Sequence, residues 1–143
     1  MSIEQNKLVV RRFLEEVVNT GDVARLAEFI SPDCNESNDP TGRSTGLESM
    51  RAHVLGVRAT YPDLRVSVVQ QIAEGEWVAT RVVGQGTHGG EWMGIAPTHK
   101  LVTISGVNLD RVVDGKIAEH GGAANMFEAL LEVGAIRLVG RAG

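Results

Sequence analysis

Three ionisable side chains near the end of the chain have the types and the spacing that acid/base chemistry requires. Asp110 lies in the segment KLVTISGVNLDRVV, and Glu119 and His120 lie in the segment KIAEHGGAAN, with Asp114 and Gly115 between the two. Asp-Gly is a strong signal for a two-residue β-hairpin turn. The two segments therefore predict antiparallel strands that bring these three side chains close to one another.

A two-residue turn fixes which residues face each other across the predicted hairpin. Counting back from the turn puts Asp110 opposite Glu119 and Asn108 opposite Gly121, with His120 on the other face. Two facing carboxylates repel when both are ionised, so such a pair tends to keep one proton and can act as acid and base. A histidine near its ordinary pKa can do the same alone. Either face of the hairpin could line a cavity.

The rest of the chain places helices first and a run of strands after them. Apolar residues recur every three or four positions in the helical segments and every second position in the strands. This order is typical of an α+β fold, with helices on one face of a curved antiparallel sheet. The predicted helices cover 3–19, 23–30, 45–61 and 125–134, and the predicted strands cover 64–73, 76–88, 100–113 and 116–122.

Composition limits the function classes. The chain has 143 residues and predicts one domain, 1–143, with room for a core and a pocket. A net charge of −4 and 4% aromatic residues argue against nucleic-acid binding. The sequence shows neither an apolar run long enough to span a bilayer nor the pattern of a secretory signal. Cys34 is the one cysteine, so the sequence does not predict a metal-binding cluster of Cys and His residues. We expect a cytoplasmic protein without metal and without a membrane partner.

Nearly the whole chain resembles the SnoaL-like polyketide cyclases, which belong to the ketosteroid-isomerase-like superfamily of cone-shaped α+β domains. The resemblance implies a curved antiparallel sheet that forms a cone, N-terminal helices packed over a pocket, a short C-terminal helix and a homodimer or higher homo-oligomer. The motifs that carry it are GTH at 86–88, GxxxGxxPT at 90–98, DGKI at 114–117, EH at 119–120, NDPTG at 38–42 and YPDL at 61–64.

The resemblance also implies an activity. Family cyclases close a ring by intramolecular aldol addition on a small hydrophobic substrate such as an aromatic polyketide, and they need no cofactor. Glu-His is commonly followed there by Trp-Asp, and this Asp serves as the general acid/base, whereas Gly121 and Gly122 follow His120 here. We therefore expect His120 to take over proton transfer, with Asp110 and Glu119 as the other catalytic candidates. His120 could instead pack under a helix, bonded to a backbone carbonyl.

Further positions are candidates for binding the substrate. The missing side chains from Gly121 to Ala124 predict a larger cavity at that end, with Gly122 and Asn108 beside the substrate. The resemblance places Asn38 where relatives often have a histidine. His88 lies in a Gly-rich loop, where it could reach the cavity mouth or stabilise the turn. Trp92 and Met93 could line the pocket with adaptable apolar surface or belong to the core.

Several functions remain open at this point. The first is cyclisation with a replaced acid/base residue. The second is hydroxylation of the ring system, which is linked to some relatives that lack the aspartate, and a third is epoxide opening by a carboxylate pair. The last is a non-catalytic module for small-molecule binding or dimerisation, because a relative that has lost its enzymatic activity would also lack the acid/base aspartate.

Overall fold

The computed structural model of the protein describes residues 1–43 and 45–140. Apart from one strand between the second and third α-helices, helices come first, strands follow, and a short helix closes the described chain, as predicted. The α-helices are α1 (Ile3–Phe13), α2 (Leu26–Phe29), α3 (Gly46–Thr60) and α4 (Phe127–Glu132), with a π-helical turn at Leu14–Val18 and a 3₁₀ turn at Val23–Arg25. The strands are β1 (Ile30–Glu36), β2 (Arg65–Glu74), β3 (Trp77–Thr87), β4 (Leu101–Val113) and β5 (Lys116–Asn125).

Local sequence accounts for the two long helices. Ser2 and Gln5 form a reciprocal capping box at the start of α1, with the Ser2 Oγ accepting from the Gln5 N–H at 3.1 Å. The apolar stripe of α1 buries Val10 and Phe13 against the sheet. The next long helix, α3, ends at Thr60, because Pro62 cannot continue a helix and also restricts the residue before it.

The five strands form one mixed sheet in the order β1-β5-β4-β3-β2. Strands β2 to β5 pair antiparallel, as predicted, but β1 pairs parallel with β5, so the sheet is not purely antiparallel. The sequence around β1 is rich in Pro, Asn, Asp and Ser, which favours a loop. Its strand conformation depends on pairing with β5, at the far end of the chain, which local patterns do not reveal.

A β-bulge changes the register of the β4–β5 hairpin. Val112 pairs with Ile117 but Arg111 pairs with Glu119, so one extra residue is inserted in β5. The expected pairs of Asp110 with Glu119 and of Asn108 with Gly121 are therefore wrong by one position. Asp110 instead faces His120, and Asn108 faces Gly122. A one-residue slip moves every following side chain to the other face of the strand.

The core lies between the helices and the inner face of the sheet. Its buried members come from α1, α2 and α3 on one side and from the middle of the strands on the other, and they include Phe13, Phe29, Val54, Val78, Val112 and Ile117. A second cluster, around Tyr61, Val102 and Ala129, packs α4 against the other end of β4. None of the helices in the described ranges is long and apolar enough to cross a membrane.

Candidate active site

A mainly apolar cavity of about 220 Å³ lies between the helices and the inner face of the sheet. Helices α1 and α3 supply apolar wall residues such as Phe13, Val54 and Val57, and strands β3 and β4 supply Val82 and Val102. Apolar walls with a few polar groups are typical of small-molecule sites. The polar side chains that line this cavity are those of His53, Tyr61, Ser105, Asn108 and His120.

Asp110 and His120 form a hydrogen-bonded pair at the edge of this cavity. His120 Nδ1 lies 2.5 Å from Asp110 Oδ1, and because a carboxylate can only accept, Nδ1 donates. Asp110 is 1% exposed and sits behind the imidazole. The bulge makes this contact possible, since it puts both side chains on the inner face of the sheet. A buried carboxylate that fixes the tautomer and orientation of a histidine leaves Nε2 available for proton transfer.

The electrostatic surroundings favour the charged form of His120. Burial lowers the pKa of His120, but the hydrogen bond to Asp110 and the negative charges of Asp110 and Glu36 outweigh it, so the pKa is raised overall. Glu36 Oε2 lies 4.0 Å from His120 Nε2. The imidazole is therefore flanked by a carboxylate at each of its two nitrogens, which stabilises the imidazolium formed when Nε2 takes up a proton.

A second, polar cavity of about 210 Å³ adjoins the apolar one. Glu36, Ser49 and His53 line it, and His53 and His120 line both cavities. Burial lowers the pKa of His53, and the neighbouring His120 lowers it further, while Glu36 opposes both effects. His120 therefore lies at the boundary between an apolar cavity and a polar one.

Glu119 lies on the other face of the sheet, away from both cavities. Its Oε1 accepts a hydrogen bond from Ser37 Oγ at 2.9 Å, and its Oε2 pairs with Arg111 Nε at 3.4 Å. The facing carboxylate pair expected from the sequence does not form, because the bulge in β5 turns Glu119 outward and places His120 opposite Asp110. Glu119 instead ties the outer edge of β5 to the loop after β1.

The four small residues after His120 have two roles: Gly121 and Gly122 leave room for the protein's own atoms, so the expected enlargement of the cavity is confined to Ala123 and Ala124. A Cβ on Gly121 would lie 2.9 Å from the Cβ of Ser37, and a Cβ on Gly122 would lie 2.2 Å from the Val107 carbonyl oxygen. Of the four residues, Ala123 and Ala124 line the cavity.

Asn38 holds the loop after β1 against β5. Its Nδ2 donates to the Gly122 carbonyl oxygen at 2.9 Å, and its Oδ1 accepts from the Gly122 N–H at 3.3 Å. The side-chain amide thus pairs with Gly122 as a neighbouring strand would. Neither residue lines the apolar cavity, although both were expected to bind the substrate.

The other expected binding residues are divided between the cavity wall and the β3–β4 loop. Asn108 lines the cavity. His88 is fully buried and accepts from the Thr98 N–H at 3.3 Å, so it stabilises the loop. Trp92 packs edge-on against Tyr61 with ring centroids 5.8 Å apart, and Met93 is 61% exposed. Neither Trp92 nor Met93 lines the cavity.

Sequence reasoning missed three residues that the structure places at this site. Glu36 lies in a segment whose composition predicts a loop with at most one short strand, and its position opposite His120 depends on the parallel β1–β5 pairing. His53 follows Met50 by three residues on the inward stripe of α3, a spacing that could have identified it. Tyr61 lies at the end of the same stripe. Within the described ranges, no group of three or more His, Cys, Asp or Glu side chains is arranged to hold a metal ion.

A family model and individual relatives both match this chain to polyketide cyclases. Residues 8–132 match the family model of the SnoaL-like polyketide cyclases. The chain is 36% identical over 104 residues to nogalonic acid methyl ester cyclase of Streptomyces nogalater, covering 71% of this chain and 78% of that protein. It is 34% identical over 113 residues to the aklanonic acid methyl ester cyclase AcmA of Streptomyces galilaeus, covering 78% of each.

Solved structures of similar proteins share the fold. IdmH of Streptomyces antibioticus, a proposed polyketide cyclase, superposes with a TM-score of 0.78 at 30% identity, covering 91% of this chain and 99% of that one. AclR of Streptomyces galilaeus, a proposed hydroxylase, superposes with a TM-score of 0.82 at 28% identity, covering 96% of this chain and 86% of that one.

Proposed function

The chain belongs to the SnoaL-like polyketide cyclase family and is an enzyme of that type, and we propose that it closes a ring by intramolecular aldol addition, with His120 as acid and base. The substrate class that we propose is the methyl ester of a polycyclic aromatic polyketide, because the family is that of the polyketide cyclases and two relatives above 30% identity are named as cyclases of an acid methyl ester. The single observation that carries the catalytic assignment is the hydrogen bond between buried Asp110 and cavity-lining His120.

The proposed reaction moves one proton and forms one bond. Nε2 of neutral His120 takes a proton from the carbon activated by the ester and the aromatic ring, and the resulting enolate carbon adds to a ketone carbon of the same molecule. The alkoxide formed from that ketone then takes the proton back from Nε2. Product and substrate have the same atoms, so the overall equation includes no cofactor or co-reactant.

Asp110 and Glu36 act on the reaction through His120. Asp110 keeps Nδ1 protonated and so presents the Nε2 lone pair to the substrate, while its charge stabilises the imidazolium intermediate. Glu36, 4.0 Å from Nε2, adds to that stabilisation from the polar cavity. The apolar walls exclude water from the enolate, which protects it from protonation by solvent.

Turnover of a tricyclic aromatic polyketide methyl ester tests this proposal. Ring closure should proceed at the same rate under nitrogen and in air, whereas hydroxylation, the alternative suggested by the likeness to AclR, would consume oxygen. His120→Asn should lower kcat by about 10²- to 10⁴-fold, the contribution typical of general acid/base catalysis.

His99→Asn is the matched control, because His99 is exposed and has a positive φ of 59° that asparagine tolerates. It should leave turnover unchanged. Full activity in His120→Asn would refute the assignment of His120, and dependence of product on oxygen would refute ring closure as the reaction.

We also propose a homodimer that buries the outer face of the sheet. Ile72, Trp77, Val107 and Leu109, defined here as the outer apolar patch, are each at least 38% exposed in the monomer. The pairing of β2, β3 and β4 places them close together, with Ile72 and Leu109 both opposite Ala79. A contiguous exposed apolar patch on a sheet face is typical of a protein interface.

A further inference from the structure

His53 is a polar side chain in the cavity wall that the packing of the fold does not require. It lies on the inward stripe of α3, between Met50 and Val57, and it lines both the apolar and the polar cavity. His53 is exposed, so an atom of a ligand has room beside its ring. The ring forms no hydrogen bond with any residue in the described ranges. Val54 and Val57 show that apolar residues fit this stripe, so the imidazole indicates a role toward a ligand.

The position of His53 between the two cavities puts it beside the proposed base. Of the residues that the structure describes, Met50, His53 and His120 are the ones that line both cavities. His120 reaches this boundary from β5 and Glu36 reaches it from β1, and both interact electrostatically with His53. Asp110 already occupies Nδ1 of His120, and the Glu36 carboxylate only accepts. His53 is therefore the side chain at this boundary that can donate to a substrate oxygen while His120 acts as the base.

The charges at this boundary keep His53 neutral while His120 takes up a proton. Burial and the neighbouring His120 lower the pKa of His53 more than Glu36 raises it. The pKa of His120 is raised, because Asp110 and Glu36 outweigh the effect of its burial. Two neighbouring groups whose pKa values are shifted in opposite directions are suited to different roles in one reaction. Once His120 is an imidazolium it repels a second positive charge, so His53 stays uncharged and keeps a single N–H donor.

The reaction creates a negative charge that needs such a donor. Removal of the proton beside an ester moves charge onto the ester carbonyl oxygen. The proposed reaction places the reacting carbon at His120 Nε2, so the attached ester lies at the same boundary between the cavities. Ser105 and Asn108 line the apolar cavity alone, and the valine walls have no donor to offer. A neutral N–H that is already in position stabilises an oxyanion without giving up its proton.

We propose that His53 is a second catalytic residue, which donates a hydrogen bond from its ring N–H to the ester carbonyl oxygen of the substrate as His120 removes the neighbouring proton. This inference rests on the proposed function, which supplies the ester and the base. In this step the C–H bond breaks, the proton passes to Nε2 of His120, and the electron pair moves onto the ester oxygen. His53 keeps its own proton throughout and stabilises the enolate until the new ring bond forms.

The test measures enolate formation separately from ring closure. The probe is the methyl ester of anthraquinonylacetic acid, which has the ester and the activated carbon but no ketone that this carbon can reach. In deuterium oxide the unmodified protein should exchange the hydrogens on that carbon above the rate without protein, as followed by proton NMR. His53→Leu should slow this exchange by about 10²- to 10³-fold, the range for removing one oxyanion donor. Its Kd for the probe should stay nearly unchanged, because the donor acts mainly on the charged state.

A conservative variant separates the donor from the shape of the side chain. His53→Gln keeps an N–H donor and should recover most of the lost rate, with the pH dependence that His120 sets. His53→Phe, which keeps a ring, repeats the comparison if His53→Leu does not fold. His99→Asn is again the control, because His99 is exposed outside both cavities, and it should exchange at the unmodified rate. Equal rates in His53→Leu and the unmodified protein, or equal losses in His53→Leu and His53→Gln, would overturn the inference.

The exchange assay also separates this inference from the proposed function. His120→Asn should abolish exchange, because it removes the base. If His120→Asn loses exchange and the His53 variants keep it, the proposed function stands and the His53 inference fails. If exchange survives in His120→Asn but is lost in every His53 variant, His53 is itself the base, and both assignments are refuted.

Discussion

At the scale of single residues, the site depends on how Asp110 constrains His120. The family's usual aspartate would have to occupy Gly122, where a side chain would collide with the Val107 carbonyl. We therefore propose proton transfer by His120, which lies directly opposite the buried carboxylate of Asp110 on the neighbouring strand. This arrangement stabilises the protonated imidazole, and it predicts a characteristic dependence of rate on pH.

The activity should rise with pH through an apparent pKa above the ordinary 6.5 of histidine, because the base must be neutral and Asp110 and Glu36 raise its pKa. Asp110→Asn removes the hydrogen-bonded charge but keeps the burial, which lowers the pKa. The pH profile of kcat/KM should therefore shift to lower pH, and its plateau should fall on the order of tenfold to a hundredfold because the base is weaker. Steady-state kinetics across neutral pH measure both effects.

Glu119→Gln provides the matched control for that experiment. Glu119 is the carboxylate next to His120 in sequence, but it lies on the outer face, paired with Arg111 and Ser37. Its replacement should leave the pH profile in place. A shift with Glu119→Gln equal to that with Asp110→Asn would mean that the profile reports general surface charge and not the buried pair.

At the scale of elements, β5 is held by close backbone approaches on both sides. Gly121 packs against Ser37 in the loop after β1, and Gly122 packs closely against the backbone of β4. The φ of Gly122 is 140°, a backbone conformation that residues with a side chain rarely adopt. Asn38 completes the contact by pairing with Gly122. The two glycines and the Asn38 side chain thus fix the position of the strand that carries His120.

Alanine substitutions at these glycines should differ in cost. Gly122→Ala should destabilise the fold by about 2 kcal/mol or more, because its Cβ would meet the Val107 carbonyl and Asn108 Cα in a strained backbone conformation. Gly121→Ala should cost less, since its φ is unstrained and the exposed residue Ser37 can shift. Chemical denaturation measures both free energies of unfolding.

Gly56→Ala serves as the reference for these two variants. Gly56 lies inside α3 with nothing within 4 Å of an added Cβ, so alanine should stabilise the helix by up to about 1 kcal/mol. If Gly122→Ala is as well tolerated as Gly56→Ala, the close approach of β4 and β5 described here is wrong.

Local patterns predicted most of the elements. The three- and four-residue spacing gave α1 and α3, Asp114-Gly115 gave the β4–β5 turn, and alternation gave β2 to β5, so the α+β class was predicted from periodicity and element order. The resemblance in the motifs then predicted the cone and the pocket. These features depend on neighbouring residues, which is why a single sequence reveals them.

The pairing at the site could not be predicted in the same way. The turn alone predicted Asp110 opposite Glu119, but the bulge in β5 moves His120 into that position. No residue signal marked the bulge, because Ala118 is small and suits either register. Glu36 was missed for a related reason: its contact with His120 requires β1 to pair in parallel with a strand more than eighty residues later, as the Glu36 to His120 pairing shows.

At the scale of the whole molecule, the two faces of the sheet have different roles. The inner face carries the cavity and the Asp110–His120 pair, while the outer face carries the outer apolar patch. Adjacent residues of β4 serve both faces, since Asp110 points inward and its neighbour Leu109 is 45% exposed on the outside. The proposed dimer through the outer apolar patch would therefore support the strand that carries Asp110, one of the two residues of the proposed catalytic pair.

Leu109→Glu should convert the proposed dimer to a monomer, because it would place a charge in the centre of an apolar interface. Sedimentation or light scattering during size-exclusion chromatography would show the loss as a halved mass. Leu55→Glu on α3 is the control, since Leu55 is 43% exposed and lies outside both the outer patch and the cavity lining, and it should leave the mass unchanged. A monomeric unmodified protein at micromolar concentration, or a dimer that survives both Leu109→Glu and Val107→Glu, would exclude this face as the interface.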